Sequence, residues 1–260
     1  MNTINDPVLG LAADMLDDLE TQRIATDNRV RILTTTEPDD DGVHRGHGLP
    51  TEHPDVQAAQ TIADGVAQLE ADAVRNLEKA MRKNPLGPFV KNTPGLGLKQ
   101  TARLLAAVGD PFWNDLYNRP RTVSELWAYC GCHVVEAPRS VHGRIATQAR
   151  SATPGPRVAP KRMRGQTSNW NEEARKRVWV IASAIPKFKT SPYEPVYRSY
   201  KASKEGSLHP AECVRCGPSG HPAPAGSERS AGHVNAMAHR YVAKRILRDL
   251  WCAAKEVHEQ

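Results

Sequence analysis

The sequence predicts a mainly α protein. Apolar residues recur near 3.6-residue spacing in segment after segment, no stretch shows the alternation expected of a sheet, and breaks rich in Pro and Gly separate the segments. With 260 residues the chain has room for one large domain or two small ones, and 39% apolar residues can build a sizeable core. Only 5% of residues are aromatic and mean hydropathy is −0.56, so much of the chain is expected to be exposed.

A first helix is expected from Asp6 to about Thr34, where Leu11, Met15, Leu19, Val30 and Leu33 fall near helical spacing. Residues 36–54, TEPDDDGVHRGHGLPTEHP, read as a polar linker. A long helix follows from Pro54 to Lys83. Its Ile62, Val66, Leu69, Ala73, Leu77 and Met81, with Val74 beside them, form a seam near heptad spacing. Such a seam can pair with another helix in cis, or with a second copy in a homodimer through residues 55–83. NPLGPFVKNTPGLG (84–97) breaks that helix, and a shorter one is expected from Leu98 to Val108 with Gly109 at its C-terminal turn. TVSELWAYCG (122–131) reads as a short helix capped by Thr122 or Ser124 and stopped at Gly131. Residues 137–168 read as a flexible basic loop. It carries Arg139, Arg144, Arg150, Arg157, Lys161, Arg162 and Arg164 with no acidic residue.

Another helix is expected to start near Asn169–Asn171, with Glu172 and Glu173 in its first turn, where they suit the helix dipole. Val178, Trp179, Ala182 and Ile185 would form its inner face, and Pro186 ends it. SPYEPVYRSYKAS (191–203) reads as a turn and a short helix. An insert-like loop occupies 203–233, and a last helix runs from about Val234 to Val257 with Met237, Tyr241, Val242, Ile246 and Leu250 inside.

Charge is distributed unevenly. Residues 1–55 hold 12 acidic and 4 basic residues, a net of −8; the remainder holds 17 acidic and 31 basic, a net of +14. A cationic body behind an acidic front suggests a polyanionic partner, most simply DNA, with RNA as the other polyanion such loops would accept. No apolar run reaches the eighteen or so residues of a membrane span, so no membrane role is expected. The acidic start MNTINDPVLGLAADMLDDLE lacks the basic n-region of a signal peptide. Together with an odd count of five cysteines, this points to a cytoplasmic chain without disulfides.

Three local patterns carry chemistry. In NTPGLGLKQTARLLAAVGD (92–110), Gly95 and Gly97 precede a helix start, where backbone N–H groups and the dipole favour an anion; Lys99 adds charge on the rim. This pattern resembles a helix-hairpin-helix motif, which grips a DNA phosphate through backbone amides and reads no bases. An ordinary helix start after a Pro-Gly turn is the alternative. The second pattern is His209-x3-Cys213-x2-Cys216-x4-His221, which has the ligand types and short spacing of a structural zinc site, with His233 able to replace either histidine. An incidental grouping in a polar insert is the alternative. Third, Arg240, Lys244 and Arg248 fall at i, i+4 and i+8 on the last helix, opposite its apolar face, and are expected to line a phosphate surface with Lys99 and the basic loop. Cys130 and Cys132 flank Gly131 in an apolar context and are expected to be core thiols.

Five segments in order, TPGLGLKQTARLLAAVGDP (93–111), SELWAYCGC (124–132), KRMRGQTSNWNEEARKRVWVIASA (161–184), SPYEPVYRSY (191–200) and HVNAMAHRYVAKRILRDLW (233–251), resemble the C-terminal domain of bacterial transposases of the 110/116/902 insertion-sequence class. The resemblance covers about 160 residues with gaps. It implies DNA binding in transposition, and a serine nucleophile in the loop after the AYxG glycine. Ser140 lies nine residues after Gly131, near that place, although Val141 follows it where the family usually has glycine; Ser151 is a second choice and a solvated loop serine the alternative. Members of the family also carry a RuvC-like metal domain, whereas the 90 or so residues before the hairpin here read as helices and linker. The resemblance therefore leaves open a transposase, a non-catalytic DNA-binding or regulatory protein derived from one, and, since relatives work with a guide RNA, an RNA-binding module.

The expected organisation is an acidic N-terminal helix and linker (1–54), a long helix or coiled coil (55–92), and a helix-hairpin-helix-containing, transposase-like DNA-binding domain (93–260). That last part would contain the basic loop 137–168 and a small zinc-binding insert at 203–233.

Overall fold

The computed structural model describes residues 3–136, 140–141, 144–145, 157–162, 165, 167–213, 215–218 and 221–260, with backbone alone at 140–141 and 144–145. The helices among them are α1 (Pro7–Thr34), α2 (Pro54–Lys83), α3 (Gly87–Asn92), α4 (Leu98–Val108), α5 (Val123–Tyr129), α6 (Glu172–Ala184), α7 (Glu194–Ala202) and α8 (Ala231–His258). Among the described residues, the strands form antiparallel pairs of two residues each: β1 (Trp113–Asn114) with β2 (Arg119–Pro120), β3 (Val135–Glu136) with β6 (Arg157–Val158), and β4 (Ser140–Val141) with β5 (Arg144–Ile145).

Helix ends follow local chemistry. Asp6 caps α1 by accepting from the Val8 amide, and Pro7 supplies a preset φ where no N–H is needed. At α5, Thr122 accepts from the Glu125 amide while the Glu125 carboxylate accepts from the Thr122 amide, a reciprocal capping box. Asn171 caps α6 through the Ala174 amide, and Ser230 caps α8 through the His233 amide. Gly109 ends α4 at φ +72°.

Helices α1 and α2 form an antiparallel pair. Asn84 at the end of α2 donates to the Ile4 carbonyl at 2.9 Å, and at the far end the amides of His47 and Leu49 bond back to Ile32 and Leu33. The seam of α2 is thus partnered in cis: Leu77 and Met81 are fully buried in one cluster with Leu9, Ala13 and Leu16 of α1, while Ile62 and Leu69 remain more than half exposed. One hydrophobic cluster continues from Ile4 through α4 and α6 to Ala254 of α8, so positions 54 and 92 mark helix boundaries within a shared core. Helix α8 lies at its centre, burying Ala238, Val242, Ile246, Leu247, Leu250 and Ala254.

Two inner faces differ from expectation. On α1, Leu11 and Met15 are exposed and Leu9, Ala13 and Leu16 are buried. The cause is electrostatic: Asp17 and Glu20 turn toward α4 and α6, where they meet the buried guanidinium groups of Arg103 and Arg177, so α1 presents acids to the interior. On α6, Trp179 is exposed and Ile181 takes the inner position beside Val178 and Ala182.

Candidate metal centre and nucleic-acid face

The Cys/His insert is ordered by backbone pairing. The His209 amide bonds to Ser227 O and the Gly226 amide returns to His209 O, both at 2.8 Å; Cys213 and Ala223 exchange two bonds at 2.9 Å. These pairings close the loop onto the first turn of α8. There Ser230 holds the amide of His233 at 3.2 Å and so fixes the third residue of that helix against the loop. The result is a group of four side chains, His209, Cys213, Cys216 and His233, whose ligand atoms all lie within 4.8 Å of one another and can hold a metal ion.

The spacing suits a tetrahedral ion. Ligands roughly 2.0 to 2.3 Å from a zinc centre stand about 3.3 to 3.8 Å apart. Here His209 Nε2 and His233 Nδ1 are 3.3 Å apart, and the sulfurs of Cys213 and Cys216 lie 3.5 and 3.3 Å from His233 Nδ1. Tautomers agree as well. His209 Nδ1 faces the Ser227 carbonyl at 2.9 Å, which can only accept; the proton therefore sits on Nδ1 and the Nε2 lone pair points into the group. Burial alone would raise the Cys216 thiol, but hydrogen bonds from Ser230, His209 and Cys213 outweigh it and hold the group down to about 7. Burial first, then the neighbouring His209, Arg229 and Arg215, keep the His233 ring below its usual range and so neutral. Both effects favour the metal-binding forms.

His221 is a correction. It is exposed, its amide bonds to Pro218 O at 2.9 Å, and His233 takes the fourth position. The preference for His221 rested on nearness in sequence; the folded loop instead closes on the helix that follows it.

The predicted hairpin segment is a short helix, a turn and a second helix: α3, residues 93–97 and α4. Its two glycines have different tasks. Gly95 has φ +94°, and a Cβ there would meet Ile185 Cδ1 at 2.8 Å and Ser191 Oγ at 2.9 Å. It therefore serves close packing inside the chain, against Ile185 and Ser191. Gly97 is exposed, a Cβ there would meet nothing within 4 Å, and no side chain caps the α4 start that it precedes. Lys99 does not stand alone on the rim. Its Nζ pairs with Glu20 at 2.6 Å, and Arg103, one turn on, is held by Glu20 at 2.7 and 3.0 Å and by Asp17. Glu20, although burial opposes it, is kept below the usual carboxylate range by Arg103 and Lys99.

The remaining predicted cations separate into three groups. Arg139, Arg164 and Ser151 lie outside the described residues; Ser140 and Arg144 are placed by backbone only, in β4 and β5. Lys161 is exposed, and Arg162 pairs with Glu172 at 3.0 Å. Two residues of the α8 stripe face α5 and the turn after it, and the third does not. Arg240 donates to the carbonyls of Cys132, at 2.9 Å, and His133; Lys244 sits 3.9 Å above the Trp127 ring; and Arg248 pairs with its neighbour Asp249 at 2.8 Å. Cys130 and Cys132 are buried as expected, and burial drives both thiols upward and keeps them protonated.

Sequence reasoning passed over Arg215 and the turn at Gly131–His133. Gly131 has φ +63°, and a Cβ there would press on Trp170 at 2.8 Å and on Arg175 at 2.9 Å. Arg175 stacks over Trp170 with 5.0 Å to the ring centroid and gives two hydrogen bonds of 3.1 Å to Pro160 O. The available signal was Arg215 itself, set between the two cysteines of the CxxC turn.

Among the described residues, no helix is long and apolar enough to cross a membrane. Compared with family models, curated proteins and solved structures, the chain matches none.

Proposed function

We propose that this chain is a DNA-binding protein that holds DNA phosphates without reading bases, in the service of DNA transposition or recombination, and that a structural zinc ion orders its Cys/His insert. The observation that carries the reading is the α3–turn–α4 segment, which leaves the α4 start uncapped by any side chain, with the exposed Gly97 open to a close approach. Backbone amides and the helix dipole at such a point suit a phosphate oxygen. Support comes from the acid-free basic stretch 137–168, whose seven cations give affinity independent of sequence, and from the ordered set of segments that resembles the transposase domain. Zinc is favoured over other divalent ions by the two thiolates and two imidazoles at tetrahedral spacing.

The test is a salt titration followed by fluorescence anisotropy, with labelled duplex DNA, a four-way junction and a structured RNA as probes. Wild type is expected to bind DNA with a steep salt dependence, and Gly97→Asp to bind it more weakly, because the new carboxylate sits where the phosphate would. Equal binding by Gly97→Asp removes the hairpin from the interface, and a clear preference for RNA replaces the DNA reading. Metal analysis of the same protein should give about one zinc per chain. That content should survive His221→Ala and fall with His233→Ala.

A further inference from the structure

Arg175, Arg240 and Lys244 are drawn together around the turn at Gly131–His133, and among the described residues none of the three has a carboxylate bonded to it. Arg175 bonds to the Pro160 carbonyl, Arg240 to those of Cys132 and His133, and Lys244 lies on the face of Trp127. The carboxylate that acts on Arg175 is Glu172, which is already bonded to Arg162 and Ser168. Burial makes each of the three a weaker proton holder than usual; Cys132 opposes it, while Arg175 and Arg215 add to it at Arg240, Arg215 at Arg175, and Arg240 at Lys244. The His133 ring packs against Trp170 at a centroid distance of 6.1 Å. Among the described residues, neither of its buried nitrogens nor Arg240 Nε has a partner at hydrogen-bond geometry, although the Ala128 backbone acts on the ring.

Half-buried cations without counterions raise the energy of the folded chain, and an anion brought from outside relieves it. The adjoining chain cannot supply one: from Ala137 to Asn171 there is neither Asp nor Glu. An anion from outside the chain would supply the missing charge.

We infer that the turn at Gly131–His133 and the metal loop together form a phosphate site, in which Arg175, Arg240 and Lys244 provide a fixed positive field and the exposed Arg215, held between metal ligands Cys213 and Cys216, closes on a phosphodiester of a nucleic-acid backbone. The phosphodiester rests on the DNA-binding reading above; the anion site does not. The metal acquires a second task here. By fixing both flanking cysteines, it fixes the backbone from which Arg215 reaches.

The experiment has two arms on the full chain. In the first, inorganic pyrophosphate is titrated into zinc-loaded protein while the His133 ring signals are followed by NMR. A saturable shift is expected in wild type, and at least a several-fold weaker response in Arg215→Gln, an exposed substitution that leaves all four metal ligands in place and should keep its zinc. In the second arm, binding of labelled duplex DNA is measured against salt. Arg215→Gln should lower the slope of log K against log salt by about 0.9, the loss of one phosphate contact, whereas Arg82→Gln, on α2 with Glu78 as its partner, should leave it near the wild-type value. Removing zinc with a chelator should bring wild type to the Arg215→Gln affinity and leave Arg215→Gln where it is. Pyrophosphate binding without DNA binding keeps the anion site and overturns the DNA reading. DNA binding that is unchanged by Arg215→Gln, with no pyrophosphate response at His133, keeps the DNA reading and overturns the anion site. A zinc-free wild type that binds DNA as tightly as the loaded protein overturns the coupling of metal to Arg215.

Discussion

Asp17 ties three helices together, and its removal gives a measurable prediction. Arg103 of α4 and Arg177 of α6 are 5% and 4% exposed, and the Asp17 carboxylate of α1 contacts both. Taking the sole partner from a buried charge costs about 3–5 kcal/mol. Each arginine here keeps one further acid, Glu20 for Arg103 and Glu173 for Arg177. Asp17 is itself 34% exposed, so water screens part of the interaction. Asp17→Asn should therefore destabilise the fold by about 2 kcal/mol, less than the loss of a sole partner and well above a surface pair. Denaturant titration should show a lower midpoint at unchanged slope, and thermal melting a drop of roughly 4–8 °C for a chain of this size. Asp27→Asn is the internal control: Asp27 is exposed, its partner Arg23 keeps Glu70, and the change should stay within about 0.5 kcal/mol. An Asp17→Asn protein as stable as the Asp27→Asn control would refute the argument that acids of α1 hold the buried arginines.

Two further outcomes are expected. Gly95→Ala should lower stability by roughly 1–3 kcal/mol in a thermal melt, since φ of +94° and a Cβ 2.8 Å from Ile185 must both be accommodated, while Gly97→Ala should leave the melt almost unchanged. The α5 capping box should titrate in acid. Glu125 is held down to about 2 by Arg119, then by the Thr122 amide, and so lies below the ordinary carboxylate value near 4.3. A depressed folded value means that its contribution is present above the ordinary value and is lost as pH falls toward 2. An NMR titration should find the Glu125 midpoint near 2, and Arg119→Gln should move it upward.

Legibility varied with the kind of force involved. The limits of α2 and α4 could be read because single residues set them: Pro54 at the start of one, Gly97 and Gly109 at the ends of the other. The inner face of α1 could not, because apolar spacing assumes that acids point outward, and Asp17 and Glu20 point in. All four residues of the metal group were named from the sequence, with His221 placed ahead of His233. His209, Cys213 and Cys216 lie close together in sequence, whereas His233 reaches the group only because Ser230 starts α8 beside the closed loop. The two glycines of the hairpin are alike in sequence, and only the packing of Ile185 and Ser191 against Gly95 separates their roles.

The same distinction applies to charge. The acidic front and basic body read along the chain are partly a pair within the molecule: Asp17 and Glu20 of α1 pair with Lys99 and Arg103 of α4 and with Arg177 of α6. Among the described residues, Arg175, Arg240 and Lys244 at the turn after α5 and Arg215 in the metal loop have no carboxylate bonded to them, and the stretch that follows Glu136 holds no acid of its own. A polyanion is drawn to net field rather than to cation count. Its firmest hold should therefore lie on the side of the metal centre, with Gly97 as a second, backbone-only contact. A duplex long enough to touch both would lose more of its salt dependence to Arg215→Gln than to Lys99→Gln, even though Lys99 belongs to the motif that first suggested DNA.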